Sequence, residues 1–246
     1  MSRDNYTDPI ISVVYDNRSL EDGLNCAWGL GLVVSTGDMK LLFDTGGNGA
    51  LLLNNMAGMR ISPDEIDVVF LSHYHADHTG GLFKFLEHNS NVTIYMPKSF
   101  PDDFRSRAKT YGARVIDVRG PVEIADGVHS SGEMGRTTIE QFLIIETRLG
   151  LVIITGCAHP DIIEIITMVE KMMGKDIYFV MGGFHLAGSS TDEVLMTISR
   201  FRELGILYVA PCHCTGDRAS EIFQKEYGEN FIKIGVGRVI RIGELV

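Results

Sequence analysis

Ser72-His73-Tyr74-His75-Ala76-Asp77-His78-Thr79-Gly80-Gly81 is the stretch on which the reading of this chain turns. It follows Asp67-Val68-Val69-Phe70-Leu71, a short apolar run that predicts a buried strand, so the histidines stand at a strand's end. On extended backbone, residues two apart point the same way, and His73 and His75 can therefore grip one ion from a single side. Asp77 and His78 lie past the bend, where they can project to a second ion, while Gly80-Gly81 permits a tight entry into the following helix. The spacing predicts a two-metal centre. Four such ligands leave two ions short of coordination, so more histidines are expected to close other strands, and His159, His185 and His213 all do.

His159 follows Thr155-Gly156-Cys157-Ala158, and His213 sits within Pro211-Cys212-His213-Cys214-Thr215-Gly216. Both are read as metal ligands. His185, in Gly182-Gly183-Phe184-His185-Leu186, is read as a substrate contact instead, and Asp77 as a ligand that also accepts a proton. His88 and His129 are read as structural or solvent-facing. Cys212 and Cys214 are too closely spaced for a zinc knuckle, and no second cysteine pair exists to complete one. The glycine-rich run Asp44-Thr45-Gly46-Gly47-Asn48-Gly49 matches neither a P-loop nor a dinucleotide fingerprint, and reads as a flexible turn beside the site.

Outward from the motif, apolar patterning predicts strands over 10–16, 28–35 and 40–44, a helix over 50–59 and the strand over 67–71. A helix over 81–88, a strand over 92–96, a helix over 102–111 and a strand over 114–118 follow. A hairpin is expected from 138–147 and 151–155, then a helix over 161–173. The final third repeats strand and helix (177–181, 192–204, 207–210, 219–227) and ends on a strand over 231–242. This is an α/β pattern, and with 246 residues, 45% of them hydrophobic, and no low-complexity linker, one domain over 1–246 is expected. The longest apolar runs fall far short of the roughly 20 residues of a membrane span, and the first ten residues have no leader-like basic and apolar regions. A cytoplasmic location is expected, where the four cysteines stay reduced. The formal charge of −10 argues against broad nucleic-acid binding and favours a small-molecule substrate.

The motif at His73 to His78 resembles the signature of the metallo-β-lactamase superfamily. That resemblance implies a four-layer αββα sandwich with metals at one rim of its two sheets, and two divalent ions: zinc first, manganese or iron also suiting the donors. Phe43-Asp44-Thr45-Gly46, Gly156-Cys157-Ala158-His159-Pro160, Gly182 to Leu186 and Pro211 to Gly216 further resemble a subgroup containing an archaeal pterin-type synthase. Two departures from the commoner hydrolase pattern stand out. Ser130-Ser131-Gly132-Glu133-Met134 occupies the place of a Pro-Gly-His loop, and Gly156-Cys157 that of a Gly-Asp pair. His159 can replace the missing histidine, and Cys157 is either a soft ligand or simply buried. Asp44 either braces a ligand histidine or forms a turn.

Three functions are consistent with these residues. The first is hydrolysis of a small anionic substrate, bearing phosphate or ester, by metal-activated water. The second is transfer of a dihydropterinylmethyl group from its diphosphate to an aryl amine ribose phosphate. The third is non-catalytic metal or ligand binding on the same fold. No nucleic-acid or membrane partner is expected, and a homo-oligomer is compatible with the sequence.

Overall fold

The computed structural model describes residues 8–37 and 39–245; residues 1–7, on which most of the leader reading rests, lie outside it. Strands β1 (Ile10–Tyr15), β2 (Gly31–Thr36) and β3 (Met39–Phe43) form an antiparallel opening. Helix α1 (Gly49–Gly58) then leads to β4 (Val68–Phe70), which joins β3 in parallel. Two short helices, α2 (Ala76–Thr79) and α3 (Leu82–Leu86), precede β5 (Thr93–Pro97), α4 (Asp102–Thr110) and β6 (Arg114–Val118). The second half comprises β7 (Val122–Ala125), β8 (Val128–Ser130), β9 (Leu143–Glu146), β10 (Leu151–Thr155), α5 (Ile162–Met173) and β11 (Ile177–Gly183). It closes with α6 (Thr191–Glu203), β12 (Tyr208–Cys212), α7 (Asp217–Tyr227) and β13 (Val239–Arg241).

Among the described residues these strands make two sheets, ordered β13-β1-β2-β3-β4-β5-β6 and β12-β11-β10-β9-β8-β7. Side chains alternate across a strand, and here both faces are apolar because both are covered. In β3, Leu41 and Phe43 join the core between the sheets while Leu42 faces helices α1 and α3. In β10, Val152 and Ile154 face inward, whereas Leu151 and Ile153 meet α5 and α6. Three cores therefore separate four layers, and the architecture is the αββα sandwich.

Several expected elements are corrected. The hairpin of β7 and β8 over 122–130 is not among the expected elements, although Asp126-Gly127 between two β-rich runs carries a turn signal. The strand expected over 138–147 begins only at Leu143, because Glu140 is diverted to bridge His73 and Met134. The closing strand over 231–242 narrows to β13: Phe231 bridges Val209 of the second sheet and Val239 pairs with Ser12 of the first, so the segment crosses between sheets. The helix expected over 81–88 is the shorter α3, capped off from α2 at Gly80-Gly81. No helix among the described residues is long and apolar enough to cross a membrane.

Candidate metal centre

β3 and β4 run parallel, as do β10, β11 and β12, so within each sheet their carboxyl ends share one edge. Open sheets with parallel strands commonly bind ligands there. Asp44 follows β3, His73 lies beyond β4, and Cys157-Ala158-His159, His185 and His213 follow β10, β11 and β12. His75 caps α2, which carries Asp77 and His78.

The structure brings the candidate ligands together in two groups. His73 Nε2 and His75 Nδ1 face each other at 3.0 Å, and the His159 ring completes a trio with centroids 4.8 Å from His73 and 4.9 Å from His75. His78 Nε2 and His213 Nε2 face each other at 3.2 Å, with Asp77 Oδ2 3.7 Å from the first and 3.3 Å from the second. In each trio the ligating atoms lie within 4.8 Å of one another. The His73 and His78 rings adjoin at 4.2 Å between centroids.

The far side of these rings fixes which nitrogen faces inward. Ser72 Oγ donates its only proton to Asp44 Oδ2 at 2.7 Å, so the His73 Nδ1–H donates to Ser72 Oγ at 2.9 Å. Asp44 Oδ2 accepts from His78 Nδ1 at 2.7 Å, and Asn17 Oδ1 from His213 Nδ1 at 3.2 Å. All three rings therefore turn an Nε2 lone pair toward the centre, the arrangement that outer hydrogen bonds give metal-ligating imidazoles. Two such lone pairs 3.2 Å apart, and a buried His159 Nε2 with no hydrogen-bond partner among the described residues, are what a divalent cation would satisfy. The donor set fits metal.

The electrostatics agree. Burial, followed by repulsion from His78 and His159, drives His73 far below the usual imidazole range. Burial and the neighbouring His185 and His75 lower His159 to about 4. For His78, burial works toward the neutral form but Asp44, Asp77 and Glu140 outweigh it and raise its pKa. Burial alone would raise Asp77, yet the adjoining His213 and His78 imidazoles hold it well below the usual carboxylate range. The site attracts positive charge.

Asp44 braces His78 and is also the turn residue, at φ 54°. His185 stands at the exposed rim, its ring 4.6 Å from that of His159. Cys157 is buried with Sγ 3.3 Å from His78 Nε2. His88 is exposed at the end of α3, and His129 pairs with Glu146 at 3.1 Å, both away from the centre. Gly80 and Gly81 serve close approach: a Cβ on Gly81 would stand 2.2 Å from the Thr45 carbonyl oxygen, and one on Gly80 2.6 Å from that of Gly47.

Glu140 went unnoticed in the sequence. Fully buried, its carboxylate accepts from the backbone N–H groups of Gly156, Cys157 and Ala158 through Oε1 and of His159 through Oε2, at 2.8–3.2 Å. Burial raises it to about 7 against those donors. Ser72, Asn17 and Trp28 were missed too; Trp28 is 59% exposed and lies 4.9 Å from the His213 ring.

The profile of the metallo-beta-lactamase superfamily matches residues 31–213. The chain is 29% identical to the 7,8-dihydropterin-6-methyl-4-(beta-D-ribofuranosyl)-aminobenzene-5'-phosphate synthase of Methanocaldococcus jannaschii, over 82% of this chain and 84% of that one. A solved metal-dependent hydrolase of the beta-lactamase superfamily superposes with a TM-score of 0.78 at 28% identity, covering 94% of this chain and 98% of its own. The metallo-beta-lactamase fold protein YhfI of Bacillus subtilis shares the fold, with a TM-score of 0.71 at 16% identity over 95% and 99% of the two chains. Since the family match runs from β2 through the end of β12 to His213 and spans well over half of the sequence, this chain is an enzyme of the metallo-β-lactamase superfamily.

Proposed function

We propose that the chain, working as one domain, is a metal-dependent hydrolase of a small anionic substrate. His73, His75 and His159 would hold one divalent ion and Asp77, His78 and His213 a second, zinc best suiting the donors, with manganese or iron also accommodated. The observation that carries this reading is the pair of adjoining ligand trios whose Nε2 lone pairs are turned inward by Asp44, Ser72 and Asn17. When bound, such ions supply Lewis-acid activation of water and neutralise developing negative charge.

The chain's own residues complete the site. Asp77, ionised and half-buried at the centre, holds a ligand position and can accept a proton through its carboxylate. Beside His159 lies a cavity of about 530 Å³ lined by Arg136, Thr137, Thr138, Pro160 and Glu164. Arg136 has no ion-pair partner among the described residues, so on a chain of net charge −10 it offers a local cation for a phosphate or carboxylate. His185 borders the open rim, on the side where substrate arrives.

A second reading, group transfer to an aromatic acceptor, is favoured by one feature: the exposed Trp28 ring beside His213 gives a planar substrate a stacking face. The synthase at 29% identity supports it.

The test combines metal analysis with turnover. His75→Ala is expected to lose bound metal and activity together, by ten-fold or more in activity, because the first ion keeps only two imidazoles. Full occupancy in that variant would refute the ligand set. Phosphoesters, lactones and thioesters would be offered without a second substrate, and diphosphate release from an aryl- or pterinylmethyl diphosphate measured with and without an aromatic amine. Acceptor-independent turnover at about 1 per second or faster supports hydrolysis, and release that requires the acceptor supports transfer. No turnover on either arm, in protein shown to carry its metal, would count against both readings.

A further inference from the structure

Once the imidazole and Asp77 positions are assigned, Cys157, His185 and Cys214 remain. They come from three successive strand ends, after β10, β11 and β12, and their two sulfurs and one ring nitrogen lie within 4.8 Å of one another. Both thiols are buried, while His185 is exposed. With Trp28, His185 and Cys214 border a cavity of about 330 Å³ on the solvent side of the trio.

The backbone is shaped to bring these groups together. His185 itself has φ 55°, and left-handed residues stand next to both cysteines: Ala158 at 58° and His213 at 49°. Non-glycine residues hold such angles only where the surrounding structure over-determines them, and they concentrate at functional sites. Gly183 makes the approach possible, because a Cβ there would stand 2.5 Å from Cys214 Sγ and 3.1 Å from Cys157 Cα.

We propose that Cys157, His185 and Cys214 form a third metal position, for a borderline-soft divalent ion of the zinc type, beside the other two. Two thiolates and one imidazole are a zinc donor set, and three protein ligands leave a fourth place for water or substrate, for which the cavity beside Trp28 has room. The balance is simple. The two thiols release their protons to solvent, the imidazole contributes a lone pair, and the charge of the ion is cancelled by two thiolates. His185 then meets substrate through the ion it holds rather than by its own ring. Cys157 Sγ, 3.3 Å from His78 Nε2, stands between this position and the neighbouring one. Cys214 is therefore the residue that reports on the third position alone.

The experiment uses the full chain, reduced and kept anaerobic, saturated with zinc and freed of loosely bound ion. Elemental analysis should give three zinc per chain, falling by one in Cys214→Ser and in Cys214→Ala, with circular dichroism and Tm recorded to show that both variants fold. After cobalt substitution, the sulfur-to-cobalt charge-transfer band in the near ultraviolet should lose half or more of its intensity in Cys214→Ser. His75→Ala should lose an ion yet keep that band, which separates failure of this proposal from failure of the two-ion reading. Unchanged metal content and an unchanged band in both folded Cys214 variants would overturn the proposal. So would a Cys157–Cys214 disulfide found by thiol titration of the freshly isolated, unfolded chain.

Discussion

Asp44 shows how much one side chain can decide. Its carboxylate is fully buried, and it accepts from Ser72 N–H, Ser72 Oγ and His78 Nδ1, all at 2.7 Å. One residue thus sets the orientation of His78 directly and that of His73 through Ser72. Removal of such an outer partner generally costs about 10–100-fold in metal affinity, and Asp44→Ala is expected to fall in that range at the Asp77-His78-His213 position. Competition with a chromophoric chelator would measure it. Asp44→Asn tolerates the left-handed backbone and keeps the shape without the charge, so it should lie between wild type and alanine. Affinity unchanged in both variants would show that Asp44 acts only as a turn. The sequence left bracing and turn as alternatives, and the structure shows both at once: a short acid at φ 54° ends β3 and reaches across to α2.

At the scale of elements, the loop after β10 depends on a partner distant in sequence. Glu140 gathers the four successive N–H groups of residues 156–159, and Gln141 Nε2 donates to the Leu71 carbonyl at 2.9 Å, tying the same turn to the motif strand. Glu140→Gln puts an amide N–H₂ where a carboxylate oxygen accepted. The mismatch should cost on the order of 1–3 kcal/mol and speed amide exchange at 156–159 before it affects β10. Exchange confined to global unfolding would contradict this. Here lies the limit of what could be read from sequence. The motif strand, α1, α4, α5 and the alternating strands and helices of the final third follow from local periodicity and caps, such as Asp161 accepting from Ile163 and Glu164 N–H at the start of α5. The gathering of the histidines could be expected because each closes a strand. Glu140 could not, since within Ile139 to Ile145 it reads as an ordinary strand residue, and its role comes from amides 16 to 19 positions away. The 122–130 hairpin has strands of only four and three residues, too short for periodicity to register.

For the whole molecule, the decisive feature is that the site spans both sheets. His73, His75, Asp77 and His78 belong to the first sheet and its helices, whereas His159 and His213 extend from the second. An ion held across that boundary stabilises only the docked arrangement. With free ion at about a thousand times its dissociation constant, linkage gives roughly 4 kcal/mol per site, and a chain of this size shifts by about 2–4 °C per kcal/mol. Chelation is therefore expected to lower Tm by about 8–16 °C for each site emptied, reversibly on adding metal back; calorimetry showing no shift would mean that the ions do not bridge the halves. The same geometry bears on biosynthesis. The first four proposed ligand positions lie within six residues of one another, but their proposed partners arrive 81 and 135 residues after His78. On the proposed ligand set, a nascent chain holds only the first four donors until the second sheet is made. A cell short of metal would then carry this protein as a population of half-docked chains, visible to proteases along the seam, and its abundance would follow metal supply before its catalytic rate did.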